Sequence, residues 1–323
     1  MTGAARTFDT IDIALGFDAN YAPHAAAVIA SVVAHAPDAR FRFIILHAGL
    51  DAALQARIAA SAPGMSFVWI AVSDDDMPPF AGREHFSRAI LFRLGLEKLA
   101  PQDCARVIYL DADITVLADV RELWAVNLDG APVAAAIDGF VDPRLFAETW
   151  RLPPGPDYFN SGVLVIDLAR VRREGLFSKA IDFFVRNDAQ LTLADQDALN
   201  WACWGRWTRI GVAWNAQRHM AIPSLIADIP EDRRLNREAP KIIHFTGPEK
   251  PWTPGAYHPW AWQYWKSLKR TAFARDARRA AGVGIAELLR LRLRWLLRRP
   301  GRLHAAKATG ASLRTALTAR IAR

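Results

Sequence analysis

The sequence predicts an α/β fold: a mostly parallel sheet with flanking helices, followed by a basic helical tail. Three observations carry this expectation. Short apolar runs alternate with longer stretches of helical spacing as far as residue 110, which is the pattern of βαβ units. One of these runs stops on a pair of carboxylates, and the carboxyl ends of strands are the ligand-binding edge of open α/β sheets. Past residue 266 the composition changes to Arg, Ala and Leu. With 323 residues, 52% of them hydrophobic, the chain can bury one large core and carry an appendage.

Residues 11–15 (IDIAL) read as a strand that breaks at Gly16-Phe17-Asp18-Ala19-Asn20-Tyr21. The Ala- and Val-rich stretch 23–35 reads as a helix, 41–46 (FRFIIL) as a strand, 52–60 as a helix and 67–72 as a strand. A loop at 74–82 leads into 87–99, whose apolar residues recur at helical spacing; 107–110 is the strand that stops at Asp111. Right-handed crossovers wind such units into a doubly wound layer structure. Farther on, 133–137 and 162–166 read as strands, 171–187 and 195–203 as helices, and 241–245 (KIIHF) as a short strand. The Pro- and Trp-rich stretch 248–265 reads as an ordered loop running into a helix. The expected organisation is a folded domain over 1–265 and a partly amphipathic tail over 266–323.

Cys104 and Cys203 form neither a disulfide framework nor a metal-type spacing, so two ordinary buried thiols in a reducing compartment are expected. The opening MTGAARTFDT lacks a cationic stretch followed by an apolar one, and no apolar window reaches eighteen residues. A cytoplasmic protein without a transmembrane helix is the expectation. The formal net charge of +8 is unevenly spread: residues 266–323 hold sixteen Lys/Arg and two Asp/Glu, a local +14, which leaves −6 for residues 1–265. A nucleic-acid binder would interleave basic and aromatic residues along the body, and the acidic body argues against nucleic acid as a partner. In 283–299 (VGIAELLRLRLRWLLRR), Arg290, Arg294 and Arg298 share a helical stripe, while Arg292 and Arg299 fall opposite. This segment suits an anionic membrane surface, which would make the protein peripheral on the inner face of the cytoplasmic membrane. A solvated basic tail is the alternative.

The strongest local signal is VIYLDAD, residues 107–113. Side chains two apart on extended backbone project to one side, which brings Asp111 and Asp113 together around Ala112. Two close carboxylates repel, and a divalent cation between them removes that cost. Oxygen ligands suit Mg²⁺ or Mn²⁺, with a diphosphate supplying further oxygens. Far downstream, KIIHFTGPEKPW (241–252) offers His244, Gly247 and Lys250. An imidazole on the same cation shifts the preference toward Mn²⁺. Gly247 lets backbone approach a phosphate, and Lys250 is a point charge for it.

Five pieces in order resemble glycosyltransferase family 8, the group that holds bacterial lipopolysaccharide galactosyl- and glucosyltransferases and glycogenin. They are Phe17-Asp18-Ala19-Asn20-Tyr21; Asp111-Ala112-Asp113; Tyr158-Phe159-Asn160-Ser161-Gly162-Val163; Asp195-Gln196-Asp197-Ala198-Leu199-Asn200; and His244-Phe245-Thr246-Gly247 with Lys250-Pro251-Trp252. The resemblance implies the GT-A nucleotide-binding, Rossmann-like fold and metal-dependent, retaining transfer of galactose or glucose from a UDP-sugar to a saccharide or glycolipid acceptor. It implies that Asp18, Asn20 and Tyr21 line the nucleotide pocket, with Tyr21 stacking on uracil, and that Arg93 touches the donor. It further implies Asp111, Asp113 and His244 as Mn²⁺ ligands and Gly247 with Lys250 as the diphosphate clamp. Asn160, Asp195 and Gln196 group around the transferred sugar; Asp195 or Gln196 is the candidate nucleophile, and Asp138 faces the acceptor. Plainer roles stay open. Asn20-Tyr21 could end a turn, Asp195 could cap a helix, and Arg93 could be a solvated helix residue. An inactive sugar-nucleotide scaffold is the other alternative.

Overall fold

The computed structural model describes residues 10–78, 88–155, 157–218, 240–256 and 258–297. Its strands are β1 (Ile11–Asp18), β2 (Phe41–Ala48), β3 (Ser66–Ala71), β4 (Arg106–Leu110), β5 (Ile114–Val116), β6 (Val133–Ile137), β7 (Phe159–Asp167), β8 (Trp207–Arg209), β9 (Ala216–Gln217) and β10 (Ile242–His244). Seven of them form one sheet in the order β3-β2-β1-β4-β7-β6-β8, and β5-β10-β9 form a second, small sheet. The large sheet is mostly parallel; β7 alone runs against its neighbours, β4 and β6.

The helices are α1 (Ala22–His35), α2 (Ala52–Ala59), α3 (Leu96–Leu99), α4 (Arg121–Trp124), α5 (Pro143–Thr149), α6 (Leu168–Glu174), α7 (Leu176–Asn187), α8 (Asp195–Ala202), α9 (Ala261–Leu268), α10 (Ala274–Ala280) and α11 (Ile285–Leu297). The sheet separates two apolar cores. Ile13, Leu15, Phe17, Phe43 and Ile45 face α1 and α9, while Ala14, Ile44, Leu46 and Tyr109 face the layer of α7 and α8. Burial on both faces explains why β1, β2 and β4 read as continuous apolar runs. Cys104 and Cys203 are both buried and free.

Two helix expectations need correction. Residues 87–99 do not make one α-helix: Arg88–Gly95 is a 3₁₀ segment that gives way to the single turn α3. Ala89 and Leu91 through Gly95 are all buried, so this stretch is enclosed on several sides and lacks the one wet face of a surface helix. It also presses on β1, where a Cβ at Gly16 would sit 2.9 Å from the Cβ of Phe92. The expected helix 171–187 is two helices, α6 and α7, with a break at Gly175. α9 runs through the composition change at 266, and Leu268 and Phe273 are buried in the larger core. Parts of the expected loop 74–82, the opening residues 1–9, Arg298, Arg299 and the tail beyond them lie outside the described residues. Among the described residues, no helix is long and apolar enough to cross a membrane.

Candidate active site

Asp111 and Asp113 follow β4 immediately, and the next residues form β5. β10 lies antiparallel on β5 with His244 opposite Ile114, and the Phe245 N–H donates to the Asp113 carbonyl at 3.0 Å. This ladder brings the imidazole to the carboxylates. His244 Nε2 lies 3.2 Å from Asp113 Oδ1 and 3.7 Å from Asp111 Oδ2. One ligand atom from each of the three residues falls within 4.8 Å of the others, a spacing that suits a single divalent cation. Lys250 Nζ donates to Asp113 Oδ2 at 2.5 Å and to the Phe245 carbonyl at 2.8 Å. Burial would raise the Asp113 carboxyl, but Lys250 and His244 outweigh it and hold the group well below the usual carboxylate range. Gly247 takes φ +83° between the ligand and the lysine, a backbone region that glycine enters without strain. Ala112 is buried between the two aspartates.

Gly162 makes room for this arrangement. A Cβ there would fall 2.2 Å from His244 Cε1 and 2.7 Å from Asp111 Oδ2. Its carbonyl accepts from the Asp111 N–H at 2.9 Å, so β7 fixes the backbone that carries the first carboxylate.

Arg93 is not a solvated helix residue; it is 5% exposed. Its guanidinium donates to Asp111 Oδ1 at 2.8 Å, reaches Asp195 Oδ2 at 3.0 Å and bonds the Ser161 carbonyl and Oγ at 2.7 and 2.8 Å. It also lies over the Tyr109 ring, whose hydroxyl donates to Asp111 Oδ1 at 3.1 Å. One buried cation thus ties a carboxylate of the cation gap to Asp195. Burial pushes the Asp195 carboxyl up to about 7, against the pull of Arg93. Asp195 does not cap α8. The residue before it, Ala194, holds that place at φ +47° with no side-chain bond, and Asp195 turns inward instead. The brace comes from Asp197, which accepts from the Thr192 and Leu193 N–H groups at 2.8 Å and from the Tyr158 hydroxyl at 2.5 Å.

Asp138, Asn160 and Gln196 form one buried cluster. Asp138 Oδ2 accepts from Asn160 Nδ2 and Gln196 Nε2, each at 3.1 Å. Gln196 Oε1 accepts from Asn160 Nδ2 and the Ser161 N–H, each at 3.0 Å. At the end of β1, Asp18 accepts from the Asn20 N–H at 3.0 Å, and Asn20 is exposed. Tyr21 meets Trp252 edge-on, and Trp252 stacks on His24 with centroids 3.5 Å apart. Burial pushes the His24 imidazole down to about 3, so a neutral ring backs the tryptophan.

Pattern reading missed Asn215. It is fully buried, with Nδ2 2.8 Å from Asn160 Oδ1 and Oδ1 2.9 Å from His244 Nδ1. The one available signal was an amide inside the apolar run GVAWNA, a residue type that stays buried only when it is hydrogen-bonded.

The family model described as "Glycosyl transferase family 8" matches residues 12–255. The chain belongs to glycosyltransferase family 8. It is accordingly a hexosyltransferase, an enzyme that takes a sugar donor and an acceptor. Among curated relatives, general stress protein A of Bacillus subtilis (strain 168) is 27% identical over 264 residues, covering 79% of this chain and 91% of that protein. Lipopolysaccharide 1,2-glucosyltransferase of Escherichia coli (strain K12) is 27% identical over 282 residues, covering 85% and 82%. Among solved structures, the galactosyltransferase LgtC, in complex with donor and acceptor sugar analogues, superposes with a TM-score of 0.74 at 26% identity, covering 84% of this chain and all of that one. The family 8 chain therefore has the GT-A fold.

Proposed function

We propose that this family 8 enzyme transfers galactose or glucose from a UDP-sugar, with retention, to a saccharide or glycolipid acceptor of a cell-surface glycan such as lipopolysaccharide. The relatives named for lipopolysaccharide synthesis support the acceptor class. The observation that carries the reading is the convergence of Asp111, Asp113 and His244 within 4.8 Å. These residues would hold Mn²⁺, with Mg²⁺ as the second choice, because two carboxylates and an imidazole fit the first better. The cation, when bound, supplies positive charge to the departing diphosphate.

The chain's own groups do the rest. Lys250 already points into the gap at Asp113, and its ammonium meets charge growing on the β-phosphate. Asp18, Asn20 and Tyr21 hold the nucleoside, and Gly247 gives the diphosphate close access to backbone. Asn160 flanks the transferred sugar and Asp138 faces the acceptor; Arg93 and Asp195 orient the sugar's hydroxyls. The Gln196 amide oxygen is committed to the Ser161 N–H, and Asp195 is tied to Arg93, which makes both poor nucleophiles. Attack by the acceptor hydroxyl on the face the phosphate leaves is favoured, with its proton passing to the departing phosphate oxygen.

Thermal shift tests the nucleotide and the metal together. UDP with Mn²⁺, at ~100-fold over Kd, should raise Tm by about 3–5 °C, and UDP alone by much less. Equal shifts with and without the cation would remove the metal from the reading; no shift with UDP would remove the nucleotide. Slow hydrolysis of a panel of UDP-sugars then names the donor.

The tail 266–323 is proposed as the membrane-facing part. α11 packs Leu288, Leu291 and Trp295 against the core and leaves Ile285, Leu289, Leu293 and Leu296 more than half exposed. Arg290 and Arg294 are on the same helix. An apolar face with cations suits an anionic lipid surface. Leu289→Asp with Leu293→Asp should cut pelleting with anionic liposomes by about tenfold or more, since each change removes a lipid-buried side chain worth ~1.5–3 kcal/mol. Undiminished pelleting would end the membrane assignment.

A further inference from the structure

We propose that Asn215 is a positioning residue that fixes the tautomer of His244, and that it is itself oriented by Asn160. The inference rests on the cation site proposed above and adds a group to it. Backbone geometry dictates the direction of every bond in the chain. The Gly162 N–H can only donate, and it donates to Asn160 Oδ1 at 3.0 Å. The Asn160 amide nitrogen then faces Asp138 Oδ2 at 3.1 Å and Gln196 Oε1 at 3.0 Å, both acceptors. That Gln196 oxygen is identified independently, because the Ser161 N–H donates to it at 3.0 Å. Asn160 can therefore present only its oxygen to Asn215.

Across the 2.8 Å contact the Asn215 group must be its NH₂. The other end of the Asn215 amide, 2.9 Å from His244 Nδ1, is then the oxygen. An oxygen in that place requires Nδ1 to carry the hydrogen. The lone pair is left on Nε2, the nitrogen 3.2 Å from Asp113 and 3.7 Å from Asp111. All three links are buried, so water does not compete for them. A ligating imidazole needs its second nitrogen held in this way, and a side chain 29 residues upstream does it here. The same relay joins the proposed cation ligand His244 to the Asp138–Asn160–Gln196 cluster.

The direct test is the ¹⁵N spectrum of the His244 ring in the metal-free wild-type chain, read at the alkaline plateau of a pH series, where the ring shifts no longer change, and assigned against His244→Asn. Nδ1 should show the shift of a protonated nitrogen and Nε2 that of a bare one; the reverse pattern overturns the proposal. Variants give the second readout through Mn²⁺ affinity, measured by the loss of the free-ion EPR signal. Asn215→Leu cannot accept the ring hydrogen and should weaken Mn²⁺ binding by about 10–100-fold. Asn215→Asp keeps an acceptor, and its affinity should stay within a few-fold of wild type while UDP-sugar turnover falls, because the bond to Asn160 is lost. Equal weakening in the two variants, or none in Asn215→Leu, overturns the relay. A wild-type chain that takes up no Mn²⁺ would sink the cation site itself, a separate failure.

Discussion

Asp111→Asn should abolish transfer while leaving the protein folded. The amide oxygen can keep the bonds that Asp111 Oδ1 accepts from Arg93 and Tyr109. The NH₂ then takes the place of Oδ2 and faces His244 Nε2, 3.7 Å away. A donor in that position repels a cation and leaves the gap one negative charge short. We expect kcat/KM to fall by at least ~1000-fold, about 4 kcal/mol of transition-state stabilisation. Tm should change little, because the buried guanidinium of Arg93 keeps its partners. Steady-state kinetics with saturating Mn²⁺ and a melting curve check the two halves. Normal turnover by the folded variant would mean that Asp111 holds no metal.

Gly162→Ala is the second large effect, and it works through space. The added methyl overlaps the His244 ring at 2.2 Å and crowds Asp111 Oδ2 at 2.7 Å. Gly162 is held by its own bonds, its carbonyl accepting from the Asp111 N–H at 2.9 Å and its N–H donating to Asn160 Oδ1 at 3.0 Å, so its backbone has little room to retreat. The ring must turn away, which breaks its bond to Asn215 and points Nε2 out of the cation gap. Overpacking of this kind costs about 1–3 kcal/mol, enough to lower Tm by several degrees at this chain length. Activity should be lost even below the new melting point. An Ala variant with wild-type kinetics would show that the His244 ring is not confined by β7.

Much of this was legible in one dimension. β1, β2 and β4 could be read because each is enclosed on both faces and so nearly unbroken in apolar residues. The Asp pair was legible because a strand end followed by two acids is a local pattern. What stayed hidden was set by partners far along the chain. No local feature marks β7 as antiparallel, since register with β4 and β6 decides it. Burial of Arg93 depends on Asp111, Ser161 and Asp195 arriving from other elements. The break at Gly175 interrupts a stretch whose apolar spacing continues across it. Asn215 sits in no motif at all, because its role lies in two bonds to residues far away in sequence.

The small sheet has a consequence for how the enzyme comes into being. β10 is laid on β5, and Lys250 reaches Asp113 across 137 residues of chain. Closing so long a loop is entropically slow to repay. All seven strands of the large sheet precede β10 in the chain, so they can pair before the imidazole and the lysine reach the carboxylates. A polypeptide stalled or clipped between β8 and β10 would keep every strand of the large sheet but lack His244 and Lys250. The groups proposed to hold the cation and the diphosphate are thus completed only by β10, the last strand in chain order among the described residues.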